Sequence, residues 1–231
     1  MPINLMNFMR AAVLFSGGKD STLALYETLQ HGFEIKFLVS VFTRSSESYM
    51  FHYPNIELTR VQAKSMGIPI ITKVTAGKKE LELIDLEHAL KSVKDQIDCV
   101  VSGAVASEYQ KSRIDKICGK LKLRSSAPLW HKDPLGLWEM CLDSGFRVMI
   151  TAVACDGLDK RWLGKVIDKQ NFRDLKRLSE KYRFHLTGEG GEFETLVVDC
   201  PLFKRPLKVR KTRTEWDDKT NSGLLIIEKT G

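Results

Sequence analysis

The 231-residue chain lacks any apolar run close to the roughly 20 residues a helical membrane span needs, so no membrane association is expected. It also lacks a CxxC pair. Its five cysteines, Cys99, Cys118, Cys141, Cys155 and Cys200, are scattered and odd in number. That usage argues against a disulfide framework or a zinc knuckle and fits a reducing, cytoplasmic setting. The cysteines are expected to be small buried apolar residues. No internal repeat and no low-complexity segment occurs, and no Ser-His-Asp or Cys-His arrangement stands out. The N-terminus, MPINLMNFMRAAVLF, does not read as a signal peptide, because its only basic residue, Arg10, follows the apolar stretch.

What is present is 43% hydrophobic and 28% charged residues, the balance of a soluble globular protein. The formal net charge of +7 favours an anionic partner, with ATP and an RNA-bearing partner both open, or it marks a lysine-rich surface and nothing more.

The first half alternates strand and helix. Residues 11–15 (AAVLF) form a short apolar run that stops at Gly17-Gly18, as a buried parallel strand does. Leu23, Tyr26 and Leu29 then recur at helical spacing, and Gly32 is a helix stop. Further strands are expected over 35–42, 68–74 and 97–102, and helices from a cap at Asn55 to Gly67, over 79–94 and over 107–121. The expected class is α/β, a twisted parallel sheet with helices on both faces. In such sheets ligands bind at the carboxyl ends of the strands, which singles out the loops 16–21, 43–52 and 103–113. The second half, with helices at 134–144 and 171–182 and β-like stretches at 147–156, 195–199, 207–213 and 224–229, reads as a smaller α+β domain. A boundary at Arg124-Ser125-Ser126 divides the chain into 1–125, for nucleotide, and 126–231, for substrate.

Ser16-Gly17-Gly18-Lys19-Asp20-Ser21 lies between the first strand and the first helix. Two glycines let a ligand approach the backbone, and the helix that follows offers unpaired amides and its positive end. These make a phosphate cradle. Ser16, Ser21 and Thr22 add hydroxyls, Lys19 adds a mobile charge, and Asp20 caps the helix or helps hold a metal ion. The segment is neither a Walker A loop nor a GxGxxG fingerprint.

SGGKDS resembles the PP-loop of the ATP pyrophosphatase superfamily, whose members cleave ATP between the α- and β-phosphates and adenylate a substrate oxygen. The resemblance implies an adenine nucleotide alpha hydrolase-like (HUP) fold, and ATP with Mg²⁺ as cofactors. The segments 46–52 (SESYMFH), 102–113 (SGAVASEYQKSR), 127–133 (APLWHKD), 157–165 (GLDKRWLGK) and 188–204 (GEGGEFETLVVDCPLFK) are similar to one family within it, diphthine–ammonia ligase. That resemblance covers about 11–208 and implies a ligase that acts on translation elongation factor two. The diphthine carboxylate would attack ATP, and ammonia, supplied as ammonium, would displace AMP. Nucleic acid is then not expected as the direct substrate. The oligomeric state stays open, a homodimer included. Within the same superfamily an RNA-modifying thiolase or lysidine synthetase, or a nucleotide-binding module without catalysis, stands as the alternative.

The nucleotide contacts expected are Ser16, Gly17, Gly18, Lys19, Asp20, Ser21, Thr22, Val39, Gly103 and Ala104, with Asp20 also as metal ligand. Ser107, Glu108, Tyr109 and Gln110 follow the fourth strand at the edge of the site. Tyr109 is placed to stack on a base and Arg113 to clamp a phosphate or carboxylate, or else Arg113 makes a surface ion pair. Glu189, Glu192 and Glu194 surround Gly190-Gly191, and an extended backbone would point Glu192 and Glu194 the same way. They would bind ammonium, take its proton or meet the trimethylammonio group of diphthine, or form a solvated acidic turn. Lys19, Arg113 and the three glutamates are the expected catalytic set. Tyr49 and Trp130 are expected to wall the substrate pocket, beside Gly190 and Gly191.

Overall fold

The computed structural model describes residues 8–43, 58–75 and 79–231. Alternating strand and helix in the first half produce β1 (Arg10–Leu14), α1 (Lys19–Gln30), β2 (Glu34–Thr43), α2 (Thr59–Met66), β3 (Ile70–Thr75), α3 (Lys79–Lys91), β4 (Cys99–Val101), α4 (Glu108–Leu121) and β5 (Arg124–Ser126). The five strands form one parallel sheet in the order β3-β2-β1-β4-β5.

Side chains leave each strand alternately to the two faces, and β1 shows it. Ala11 and Val13 join a cluster with Leu23 and Leu25 of α1 and Ala63 of α2, while Ala12 joins one with Leu86 and Leu90 of α3 and Ile114 and Ile117 of α4. Helices therefore cover both faces. Asp98 fixes the start of β1, accepting the Arg10 amide at 2.9 Å and its guanidinium at 2.7 Å. The same guanidinium holds the Asp98 carboxyl down at about 2.

Residues 124–126, where the sequence suggests a boundary, form the fifth strand, in register with Cys99–Val101. One sequence expectation needs correction, because no side chain caps α1. Gly18 is its N-cap, and Asp20 lies in its first turn. Gly67 does end α2, in the left-handed conformation.

The second half contributes α5 (Pro134–Asp143), β6 (Arg147–Val153), β7 (Val166–Ile167), α6 (Lys169–Tyr182), β8 (Phe193–Asp199), β9 (Val209–Asp217) and β10 (Ser222–Thr230). Asp133 caps α5 through the Gly136 amide, with proline following it, and Asp168 and Asn171 form a capping box on α6. The strands pair antiparallel in the order β7-β6-β10-β9, with β8 along β6. The basic strand β9 is an edge, and its Lys211 and Arg213 are ion-paired to Glu228 and Glu215.

The largest core cluster draws on both halves, packing Leu23, Leu25 and Val101 with Trp138, Ile150, Phe193 and Val197. Among the described residues no helix is long and apolar enough to cross a membrane.

Candidate active site

The sheet order reverses direction at β1, so the loops leaving the carboxyl ends of β1 and β4 meet at the crevice where such sheets bind ligands. Gly17 has φ +79°, and a Cβ there would stand 2.2 Å from Gln62 Oε1, so the position takes glycine alone. Ser16 is exposed, and its hydroxyl lies 3.1 Å from that of Ser21. Thr22 turns inward and donates to the Gly18 carbonyl at 2.8 Å, so its hydroxyl shapes the loop instead of facing a ligand. Lys19 is fully buried, its Nζ on the Asp20 carboxylate and 5.3 Å from the Trp138 ring centre.

Gly103, beyond the end of β4, packs directly on this loop. A Cβ there would meet the Ser21 amide nitrogen at 2.7 Å. Ala104 and Ser102 beside it are buried. From the second half, β8 runs along the loop's other side. Val197 donates its amide to the Gly17 carbonyl at 3.0 Å, and Thr195 Oγ1 accepts the Lys19 amide at 3.0 Å.

The three glutamates do not act as one cluster. Glu189 reaches the β4–α4 connection, where its carboxylate accepts the Ala106 amide at 3.3 Å. Burial, then repulsion from Asp20, pushes its carboxyl up, against the pull of the Ala106 amide, Lys19 and His185. Glu192 instead staples its own loop, accepting the His185 and Gly190 amides at 2.8 Å each. Glu194 lies in β8 on the face of Leu196 and Val198, opposite Thr195, the residue that touches the loop. The expectation that Glu192 and Glu194 point together fails because β8 begins only at Phe193.

A raised carboxyl pKa means the folded chain keeps the Glu189 proton to higher pH than the unfolded chain does. Above that window this group opposes folding, and the opposition vanishes as pH falls below the ordinary value of 4.5. Glu189→Gln is therefore expected to raise the melting temperature at neutral pH, with the gain disappearing below 4.5. Thermal melts across that range check it.

Ser107 caps α4 through the Gln110 amide at 3.3 Å, and Glu108 is exposed in its first turn. The Arg113 guanidinium lies 3.4 Å from the Tyr109 ring centre, stacked on it, with no ion pair among the described residues. Trp130 stacks on His131 at 4.5 Å and is half-buried beside α4, with Lys111 Nζ 5.5 Å from its ring centre. Gly190 and Gly191 are exposed in the glutamate loop. Val39 does not reach the loop surface. Its side chain joins the second core cluster, and its carbonyl accepts the Phe15 amide at 2.8 Å. Tyr49, like Phe51 and His52, lies outside the described residues.

Sequence reasoning missed Gln62, Trp138 and Thr195. Trp138 is fully buried between Lys19 and the glutamate loop, donating its indole N–H to the Leu186 carbonyl at 2.8 Å. Gln62 and Trp138 lie in no motif. Thr195 sat within GEFET, where the glutamates were the more conspicuous signal.

A family model for the diphthamide synthase N-terminal domain matches residues 9–125, and one for the C-terminal domain of the same enzyme matches residues 133–231. The chain belongs to the diphthine–ammonia ligase (diphthamide synthase) family. Among relatives named diphthine–ammonia ligase, that of Danio rerio is 34% identical over 227 residues, covering 89% of this chain and 88% of the relative. The human one is 33% identical, covering 87% and 83%. The family name also covers longer proteins. The Saccharomyces cerevisiae ligase is 32% identical, with 85% of this chain matched to 34% of that protein. A tRNA thiolase from Methanococcus maripaludis aligns over 59% of this chain and 58% of its own, at 16% identity and a TM-score of 0.36, too distant to bear on the fold.

A magnesium ion at this loop would have the Asp20 carboxylate to draw on. Asp20 and Glu189 are close enough that one charge raises the other's pKa, and among the described residues no group of three acidic, His or Cys side chains forms a closed cage. Magnesium typically keeps its waters and binds through one or two carboxylates plus substrate phosphates.

Proposed function

We propose that this chain amidates the diphthine carboxylate of translation elongation factor two, converting ATP to AMP and pyrophosphate. What carries the reading is the match of both diphthamide synthase models across nearly the whole chain, joined to a phosphate cradle at their junction. The chemistry requires activation, because a carboxylate has no leaving group better than oxide. Attack on the α-phosphate replaces that with AMP, which ammonia then displaces.

In this reading the amides of Gly17, Gly18 and the first turn of α1, with Ser16 and Ser21, hold the phosphates. Lys19 neutralises charge that builds on them. Asp20 would hold Mg²⁺, which would supply further charge neutralisation at the phosphates. Glu189 is the carboxylate we place at the ammonium, since it accepts the Ala106 amide of the β4–α4 connection and lies within the fields of Asp20 and Lys19. Tyr109 and Arg113 face the base or the substrate, and Trp130, with Tyr49, walls the pocket. Residues 1–125 would then carry the nucleotide and 126–231 the protein substrate, in the reducing cytoplasm that five free cysteines suit.

Sulfur transfer is disfavoured on a physical ground. Burial pushes the thiols of Cys99, Cys118, Cys155 and Cys200 up to about 11 and that of Cys141 to about 12, so none offers a thiolate at neutral pH.

The test incubates the purified chain with ATP, ammonium and elongation factor carrying diphthine. The expected result is AMP released only in the presence of that factor, with the modified histidine found as its amide by mass spectrometry. AMP release driven by tRNA, or the same rate without the factor, would refute the proposal.

A further inference from the structure

Gln62 lies on α2, fully buried beneath the phosphate loop, and no step of the proposed reaction uses it. Its Nε2 donates to two carbonyls, Gly17 O at 2.9 Å and Val197 O at 2.8 Å. Two acceptors require a donor between them, which sets the orientation of the side-chain amide. The Val197 amide also donates to Gly17 O, at 3.0 Å. One loop carbonyl thus accepts two hydrogen bonds, one from α2 and one from β8.

In a trans peptide the carbonyl and the N–H that follows point in opposite directions. With Gly17 O held inward, the Gly18 N–H is turned outward, to the exposed side, where it donates to Ser16 Oγ at 3.4 Å, a long bond that a phosphate oxygen could replace. Between two glycines the peptide plane rotates with little steric resistance, so the orientation must be held from outside the loop. We infer that Gln62 is a positioning residue that keeps the Gly17–Gly18 peptide with its N–H facing the phosphates of ATP. This rests on the reading that residues 16–21 take those phosphates.

Gln62→Met keeps the length and removes the donor. Gln62→Glu sets a carboxylate against two carbonyl oxygens, and its repulsion lifts only when the group is protonated and its O–H can donate. Gln62→Met is expected to raise the KM for ATP in pyrophosphate exchange about tenfold, the scale of a lost hydrogen bond or two, with kcat within about threefold. Gln62→Glu is expected to be weaker still at neutral pH, its KM approaching that of the parent as pH falls. A loosened core would not give that pH-dependent recovery. In the parent protein labelled with ¹⁵N-glycine, the Gly18 amide proton should move downfield on adding pyrophosphate, a measurement that does not depend on either variant folding. If the parent fails to bind ATP, the functional reading falls and this inference with it. If the parent binds ATP but the Gly18 amide does not move, or Gln62→Met folds with unchanged KM, the inference alone is overturned.

Discussion

Lys19→Met is expected to lower AMP formation by a factor of about 10²–10³, the usual cost of removing one preorganised charge from a reaction centre. The ammonium is fully buried, held by Asp20 and the Trp138 ring, so it is fixed before any nucleotide arrives. Methionine fills the same slot without charge. Stability should fall modestly, because the Asp20 carboxylate, 24% exposed, is left without its partner. Adding Asp20→Asn should restore the melting temperature and leave the activity low. Recovery of activity in the double variant would mean that Lys19 serves only to neutralise Asp20. Lys19→Arg should not rescue, because a planar guanidinium does not fit a slot closed over a point charge.

Gly103→Ala is expected to damage the loop 16–21 with a single methyl. Its Cβ would stand 2.7 Å from Ser21 N, 2.8 Å from Asp20 C and 2.9 Å from Asp20 O. All three are backbone atoms of the first turn of α1, so no side chain can swing aside. Either the β4 end or the phosphate loop must move, and such overpacking costs ~1–3 kcal/mol. On the proposed function this loop holds the phosphates of ATP, so the KM for ATP should rise by more than the stability loss alone would suggest. Gly119→Ala is the control. Nothing lies within 4 Å of its Cβ, and α4 has helical backbone there, so that variant should gain ~0.4–1 kcal/mol in chemical denaturation. A Gly103→Ala protein with the parent KM would show that the contact between β4 and α1 does not govern the loop.

Much of the parallel sheet could be read from the chain because buried strands such as 11–15 and 97–102 are nearly continuous apolar runs bounded by turns. β5 could not. Arg124–Ser126 is short and polar, and it becomes a strand only because its backbone pairs with β4. The turn at residues 16–21 was legible because its conformation needs glycine at Gly17. The division among Glu189, Glu192 and Glu194 was not, since it depends on where β8 begins and which amides the loop folds back to offer. Gln62 gave no signal for a related reason. One buried glutamine in an amphipathic helix looks like any other until its two carbonyl partners are known, and one of them lies 135 residues away.

The pinning of Gly17 by Val197, and of the Lys19 amide by Thr195, spans 176 residues in the second case. A chain made from its N-terminus exposes Ser16 to Ser21 early and β8 late. Until β8 has emerged, the Gly17 carbonyl has no Val197 to meet, and the loop lacks half of what shapes it. The first half of the chain alone therefore holds residues 16–21 incompletely, and the shape of that loop depends on strand residues of the second half.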